Sequence, residues 1–254
     1  MAERFMHPAR GRDYGGSNPP TCPNRTHMNI GFYGHSAASW AGEHNGVRSY
    51  IETVLEHYDA NLVNLGVPQG SEERILFDLK KTKKLDVAVI FHSYPRYLYM
   101  PKCKRDIDIN KIKAKRFDYL WDDKQIDEHM DNFFVYGGIK ESFGEDKQLF
   151  IETLTNYKQF LHHKDLAENR FAGALVQIDQ YLSFKKIPVV HACARNTIPP
   201  WFKFTSGYNA VALVDLLNTI HEQGTFPNNI SASGQEMMHS VLIRLIDRQM
   251  VDNA

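Results

Sequence analysis

Apolar residues along this chain recur in two periods. Short β-branched and aromatic runs, bounded by polar residues, predict buried strands over 29–33, 61–65, 85–91 and 187–190. Between them Val47, Tyr50, Ile51, Val54, Leu55 and Tyr58 recur at helical spacing, as do Ile75, Leu76 and Leu79 behind an acidic first turn at Glu72 and Glu73. Later helical faces carry Phe150, Leu154, Tyr157 and Leu161, then Leu175, Ile178, Tyr181 and Leu182, then Val211, Leu213, Leu216, Leu217 and Ile220 as a helix or extended loop. A last helix opens at Ser233-Gly-Gln-Glu236, which has capping-box spacing, and continues through Met238, Leu242 and Ile246. Strands that alternate with helices pair in parallel through right-handed crossovers, so the pattern predicts an α/β protein, a three-layer αβα sandwich on a mostly parallel sheet.

Three stretches break the alternation. Residues 1–27 hold Gly11, Gly15, Gly16, Pro19, Pro20 and Pro23 among polar residues, too little apolar surface to fold alone, and read as an arm. The rest, 28–254, reads as one domain with an insertion at about 96–147. There 106–115 alternates charged and apolar residues, acidic first and lysine-rich later, the pattern of a small hairpin with opposite charges across it. The aromatic residues of the insertion suit packing on the domain, a lid or a subunit contact. Trp201, Phe202 and Phe204 mark an aromatic loop.

Composition narrows the classes. The 254 residues are 43% hydrophobic, enough for one sizeable core, and 30 basic residues balance 30 acidic ones, so no net field draws nucleic acid or an anionic membrane. Cys22, Cys103 and Cys193 are odd in number and widely spaced, which fits reduced thiols better than a disulfide framework. No signal-like segment and no run near the roughly 20 apolar residues of a membrane span is present. The expectation is a cytoplasmic protein, or a virion protein if phage-encoded, with neither nucleic acid nor membrane as partner; a protein partner would engage the arm or the insertion.

The chemistry gathers where strands end. Residues 28–40, Met-Asn-Ile-Gly-Phe-Tyr-Gly-His-Ser-Ala-Ala-Ser-Trp, form a strand that breaks at Gly34 and delivers Ser36 to the carboxyl edge of a sheet, where open α/β folds keep their crevice. Tyr33-Gly34-His35-Ser36 resembles the first sequence block of the SGNH (GDSL-type) hydrolases, with His35 in place of the usual aspartate. The resemblance covers roughly 28–95 and 185–250. It implies a flavodoxin-like, SGNH-hydrolase-like sandwich with Ser36 as nucleophile, the Ser36 and Gly66 amides as oxyanion donors, and an ester substrate, either a small molecule or an acylated carbohydrate. Gly66, in the turn after the second strand, matches the glycine of the second block, although a glycine there also serves backbone geometry alone. The third block, Gly-x-Asn-Asp, is not matched: His92 falls near its glycine and Tyr94 near its oxyanion-binding asparagine. In the fifth block, aligned on Ile230-Ser231 and Gly234, Asn229 stands where the general base, a histidine, belongs, and an amide cannot accept the serine proton.

His35, His92 and His191 each stand at or just beyond a strand's carboxyl end, so three readings of them stay open: polar residues where loops begin, a displaced base for Ser36, or a three-histidine metal site. No resident metal or cofactor is expected. For the whole chain the leading expectation is an ester hydrolase with a degenerate triad, and the alternative a binding or assembly domain of the same fold that has lost catalysis. A nucleotide-sugar enzyme, suggested by Gly46-Val47-Arg48 opening a helix, lacks a GxGxxG phosphate loop.

Overall fold

The structure, a computed structural model, describes residues 27–39, 41, 43–44, 47–67, 70–99, 106–108, 147–193, 198–210 and 232–252. Five strands form the main sheet: β1 (Asn29–Gly34), β4 (Asn61–Asn64), β5 (Val87–Phe91), β8 (Val189–Ala192) and β9 (Tyr208–Ala210). Their spatial order is β4-β1-β5-β8-β9 and every neighbouring pair is parallel. Two short antiparallel pairs lie apart, β2 (Glu43–His44) with β3 (Val47–Arg48) and β6 (Tyr97–Leu98) with β7 (Ile107–Asp108).

Side chains alternate across the sheet and build two apolar layers. On one face Ile30, Phe32, Val87, Val89, Phe91, Val190 and Ala192 meet Tyr50, Ile51 and Val54 of α1 (Tyr50–His57) and Met238, Leu242 and Ile246 of α5 (Ala232–Asp252). On the other, Tyr33, Ala88, Ile90 and Val189 meet Ile75, Leu76 and Leu79 of α2 (Glu72–Lys81) and Ile178 and Leu182 of α4 (Lys164–Lys185). Helices on both faces of a parallel sheet make the three layers of an αβα sandwich. Each of these fully buried aliphatic side chains contributes roughly 1.5–3 kcal/mol. α3 (Lys147–Asn156) passes into a π-helical turn (Tyr157–Leu161) before α4.

Caps set the boundaries on the functional edge. Ser49 accepts from the Ile51 amide and starts α1, and Ser71 accepts from the Arg74 amide and starts α2, with Glu72 and Glu73 in the first turn. The helical spacing from Val47 therefore overstates α1: Val47–Arg48 belongs to β3, and the cap at Ser49 decides where the helix begins.

Two short segments add to this picture. The segment from Asp106 pairs with the strand after β5, Ile107 opposite Leu98 and Asp108 opposite Tyr97, and Asp106 faces Arg74 of α2 at 2.8 Å. Beyond Asp108 that segment lies outside the described residues, as do the arm over 1–26, most of the insertion and the helical spacing over 211–220. Strand β9 is an addition, because three residues after Gly207 give no alternating pattern to read. Among the described residues no helix is long and apolar enough to cross a membrane.

Candidate site at the carboxyl edge of the sheet

From β1 the chain moves out to β4 on one side, then crosses to β5 on the other. The strand order reverses between β1 and β5, and in open parallel sheets the crevice lies beyond the carboxyl ends at such a point. Gly34-His35-Ser36 leaves β1 there and Phe91-His92-Ser93 leaves β5 beside it, with Gly34 paired to Phe91. Gly34 has φ +125°, and a Cβ on it would stand 2.0 Å from the Phe91 carbonyl oxygen, so only glycine lets β1 turn against β5 here. Ser36 opens a short 3-10 turn (Ser36–Ala38), its backbone two residues past Gly34, the strand's last paired position.

Gly66 is packed by close approach. A Cβ would lie 2.7 Å from that of Ala38 and 2.8 Å from the Gly34 carbonyl oxygen. Its amide donates to the Ala38 carbonyl at 2.8 Å, so an oxyanion would have to draw it away from that bond. Val67 donates to the Gly34 carbonyl at 3.0 Å, which fastens the β4–α2 turn to the end of β1.

His35 is buried, and its Nδ1 accepts from the Ala37 amide at 3.4 Å. Burial, with the nearby charges of His92 and Arg96 adding to it, lowers its pKa from 6.5 to about 4, so the ring is neutral at physiological pH. Tyr94 stands 6.0 Å from it, ring centre to ring centre, with the Arg96 guanidinium 4.9 Å over the tyrosine's ring.

His92 and His191 meet in a different way. Register pairs Ile90 with His191, and both imidazoles sit on the α2/α4 side, fully buried and 2.9 Å apart from Nε2 of His92 to Nδ1 of His191. At one end His92 Nδ1 meets Glu72 Oε1 at 2.6 Å; the other Glu72 oxygen accepts from the Ser93 amide at 3.0 Å. At the other end His191 Nε2 meets Ser206 Oγ at 3.1 Å, and Ser206 Oγ donates to Asp179 at 2.5 Å. Asp179, on α4, also accepts from the Ser206 amide at 2.8 Å, the Thr205 amide at 3.0 Å and the Thr205 hydroxyl at 2.6 Å. Burial alone would raise this carboxyl; the donors of Ser206 and Thr205 outweigh it and hold its pKa below the usual value. Phe204 stacks on His191 at 3.8 Å and tilts against His92 at 4.9 Å, closing the pair from the loop side.

The result is one buried chain, Glu72–His92–His191–Ser206–Asp179, and counting donors fixes its protons. Asp179 is ionised and accepts, so the Ser206 hydroxyl donates to it and accepts from Nε2–H of His191. His191 is neutral, held far below the ordinary histidine range by burial and then by the charge of His92, so its Nδ1 accepts. His92 must then donate through Nε2. One further proton lies between its Nδ1 and Glu72, 2.6 Å apart. Neither histidine keeps a nitrogen for work outside the chain.

A second buried pair anchors the rim. Arg74 grips Asp106 through Nε and Nη2 at 3.1 and 2.8 Å, and Asp106 also accepts from the Ser71 amide at 2.7 Å. Cys193, just past β8, is a buried free thiol whose pKa is pushed up by burial and by Glu72.

Of the residues singled out in the sequence, the structure brings together Ser36's backbone, His35, Gly66 and Tyr94 at the ends of β1, β4 and β5. It sets His92 with His191 below the rim, and Asn229 lies outside the described residues. No group of three or more metal-ligating side chains occurs among the described residues. Glu72, Asp179 and Ser206 were missed as members of the site. Asp179 did leave a signal, standing among Leu175, Ile178 and Leu182 on the apolar face of its helix, where a carboxylate needs partners. No protein-family model matches the sequence, and comparison with curated proteins finds no similar chain.

Proposed function

We propose that the chain is a divergent SGNH-type, flavodoxin-like domain whose crevice binds an ester-bearing ligand or a partner without cleaving it. The strand order, second, first, third, fourth, fifth along the chain, supports the fold, and so does the position of Ser36 past β1 at the switch point. The observation that carries the loss of catalysis is the commitment of the histidines. Both nitrogens of His92 and of His191 are bound within the buried chain, and His35, with a pKa of about 4, is too weak a base to take a serine proton near neutrality. Loss of the base in a serine triad costs on the order of 10⁶ in turnover.

The second reading is an active ester hydrolase, favoured by the place of Ser36 alone, with an unassigned base. A fluorophosphonate probe separates the two. The binding reading expects no labelling of the full chain from mildly acidic to mildly alkaline pH. Labelling of the wild type that disappears in Ser36→Ala would overturn it and establish the hydrolase.

A further inference from the structure

Beside the crevice lies a cavity of about 510 Å³ between the loop after β5, the first half of α4 and the loop before β9. Its size falls within the roughly 300–1,000 Å³ of small-molecule sites. Phe171 and Ala172 are buried and form an apolar floor; Tyr94 lines the cavity and also stands against His35, linking it to the switch point. Arg170 donates to the Tyr97 carbonyl at 2.8 Å and pairs with Glu73, so α4 and the loop after β5 are held at a fixed spacing.

Trp201 is the unusual member. It is 67% exposed, in a loop where Pro199 and Pro200 precede it. Its indole is braced edge-on by Phe202 at 5.9 Å, Phe202 by Phe204 at 5.0 Å, and Phe204 stacks on the buried His191. This aromatic series holds an exposed flat apolar face in one orientation at the mouth of the cavity. The polar lining residues are Glu168, Asn169 and Tyr94, and the Glu168 carboxylate has Lys164 at 3.6 Å as a counter-charge. Among the described residues the lining thus offers no cation for an anionic ligand, and its one carboxylate has a counter-charge. What it offers is a carboxylate acceptor, a carboxamide that both gives and takes, and a phenol, in one cavity with the Trp201 indole.

We propose that this cavity is a subsite for a neutral polyhydroxylated ring, a glycosyl unit, with one CH face on Trp201 and its hydroxyls on Glu168 and Asn169. The inference rests on the reading of the carboxyl edge as a binding site and names the ligand class for it; it does not require Ser36 to react.

The test is saturation-transfer NMR on the full chain with glucose, galactose and N-acetylglucosamine, with choline as the cationic competitor, read together with tryptophan fluorescence. The sequence has three tryptophans, so Trp201→Phe assigns the signal. Saturable transfer from at least one sugar is expected, with affinity about tenfold weaker in Trp201→Ala and about threefold weaker in Glu168→Gln. Both positions are exposed, and circular dichroism checks that each variant is folded. Three results overturn the subsite: no saturable binding of any sugar, binding of choline alone, or sugar binding unchanged in Trp201→Ala. Ser36→Ala should bind sugar as the wild type does. A chain that labels with fluorophosphonate yet binds sugar through Trp201 would refute the non-catalytic reading and keep the subsite. Sugar binding lost in Ser36→Ala and kept in Trp201→Ala would do the reverse.

Discussion

Removing the carboxylate of Asp179 tests the buried chain at the end where its protons are fixed. The side chain takes four donors, the amides and hydroxyls of Thr205 and Ser206, in a position that is 5% exposed. Hydrogen bonds to a charged acceptor are worth about 1.5–3 kcal/mol each, and a buried donor left without a partner costs about 1–3 kcal/mol. Water can satisfy the Thr205 groups, since Thr205 is exposed, so the loss is concentrated at buried Ser206. Asp179→Ala should then cost about 3–5 kcal/mol, while Asp179→Asn, which keeps one acceptor oxygen, should cost about half. Urea unfolding followed by circular dichroism measures both. The pH dependence provides the second arm. The folded carboxyl has a depressed pKa, so its contribution is complete above the unfolded value near 3.9 and disappears as pH falls through the lower folded value. The gap between wild type and Asp179→Asn should be level from pH 7 to about 5 and close below about 4. Losses under 0.5 kcal/mol in both variants, or a gap that closes near pH 6 instead, would refute the assignment of Asp179 as the ionised terminus.

Other perturbations follow from the same geometry. His35 has its folded pKa near 4, below the 6.5 of an unconstrained ring, so the unfolded chain takes up a proton first as pH falls. Stability should decline from about pH 6.5 to 4 by about 3 kcal/mol on its account, at 1.36 kcal/mol per unit, and His35→Gln should show a correspondingly shallower acid slope in the same unfolding assay. Arg74→Ala leaves the buried Asp106 carboxylate without its guanidinium and should cost about 3–5 kcal/mol; a loss below 1 kcal/mol in chemical denaturation would mean the pair is a surface contact. Gly34→Ala combines a left-handed φ with a contact to backbone and should cost about 3 kcal/mol or more, visible as a drop in Tm; an unchanged Tm would contradict the tight crossing of β1 and β5. In nitrogen-resolved NMR, Nε2 should carry a proton in both His92 and His191, and Nδ1 of His191 should not; a proton on Nδ1 of His191 would contradict the donor count.

The parts of the fold that could be read in advance share a physical reason. β1, β5 and β8 are buried on both faces, so their sequences are continuous apolar runs, and α2, capped by Ser71, repeats its apolar residues every three or four positions against the sheet. β9 and the β6–β7 pair have only two or three residues each, too few for an alternating pattern, and are held by their pairing, so local pattern carries no trace of them. Glu72 was visible as an acidic residue in a helix's first turn, which is correct for its place. Its role depends on His92, which only the parallel crossover brings within 2.6 Å.

The histidines show where strand logic could have gone one step further. A residue at a strand's carboxyl end faces either the crevice or one of the helical layers, and period-two alternation decides which. His92 continues the parity of Ala88 and Ile90, and His191 that of Val189, all of them on the α2/α4 face. Once β5 and β8 are neighbours with Ile90 beside His191, the two rings are forced onto the same side and into contact. Both are then remote from solvent and cannot remain unpaired, because an imidazole buried without partners forfeits its hydrogen bonds to water. Acceptors must come from the helices covering that face, and each supplies one: Glu72 from the first turn of α2, where the helix dipole favours a carboxylate, and Asp179 from the middle of α4, reached through Ser206. The same alternation that makes the sheet a core thus removes His92 and His191 from the crevice. Only His35, of the three, is left beside Ser36, and burial above all has taken away its basicity.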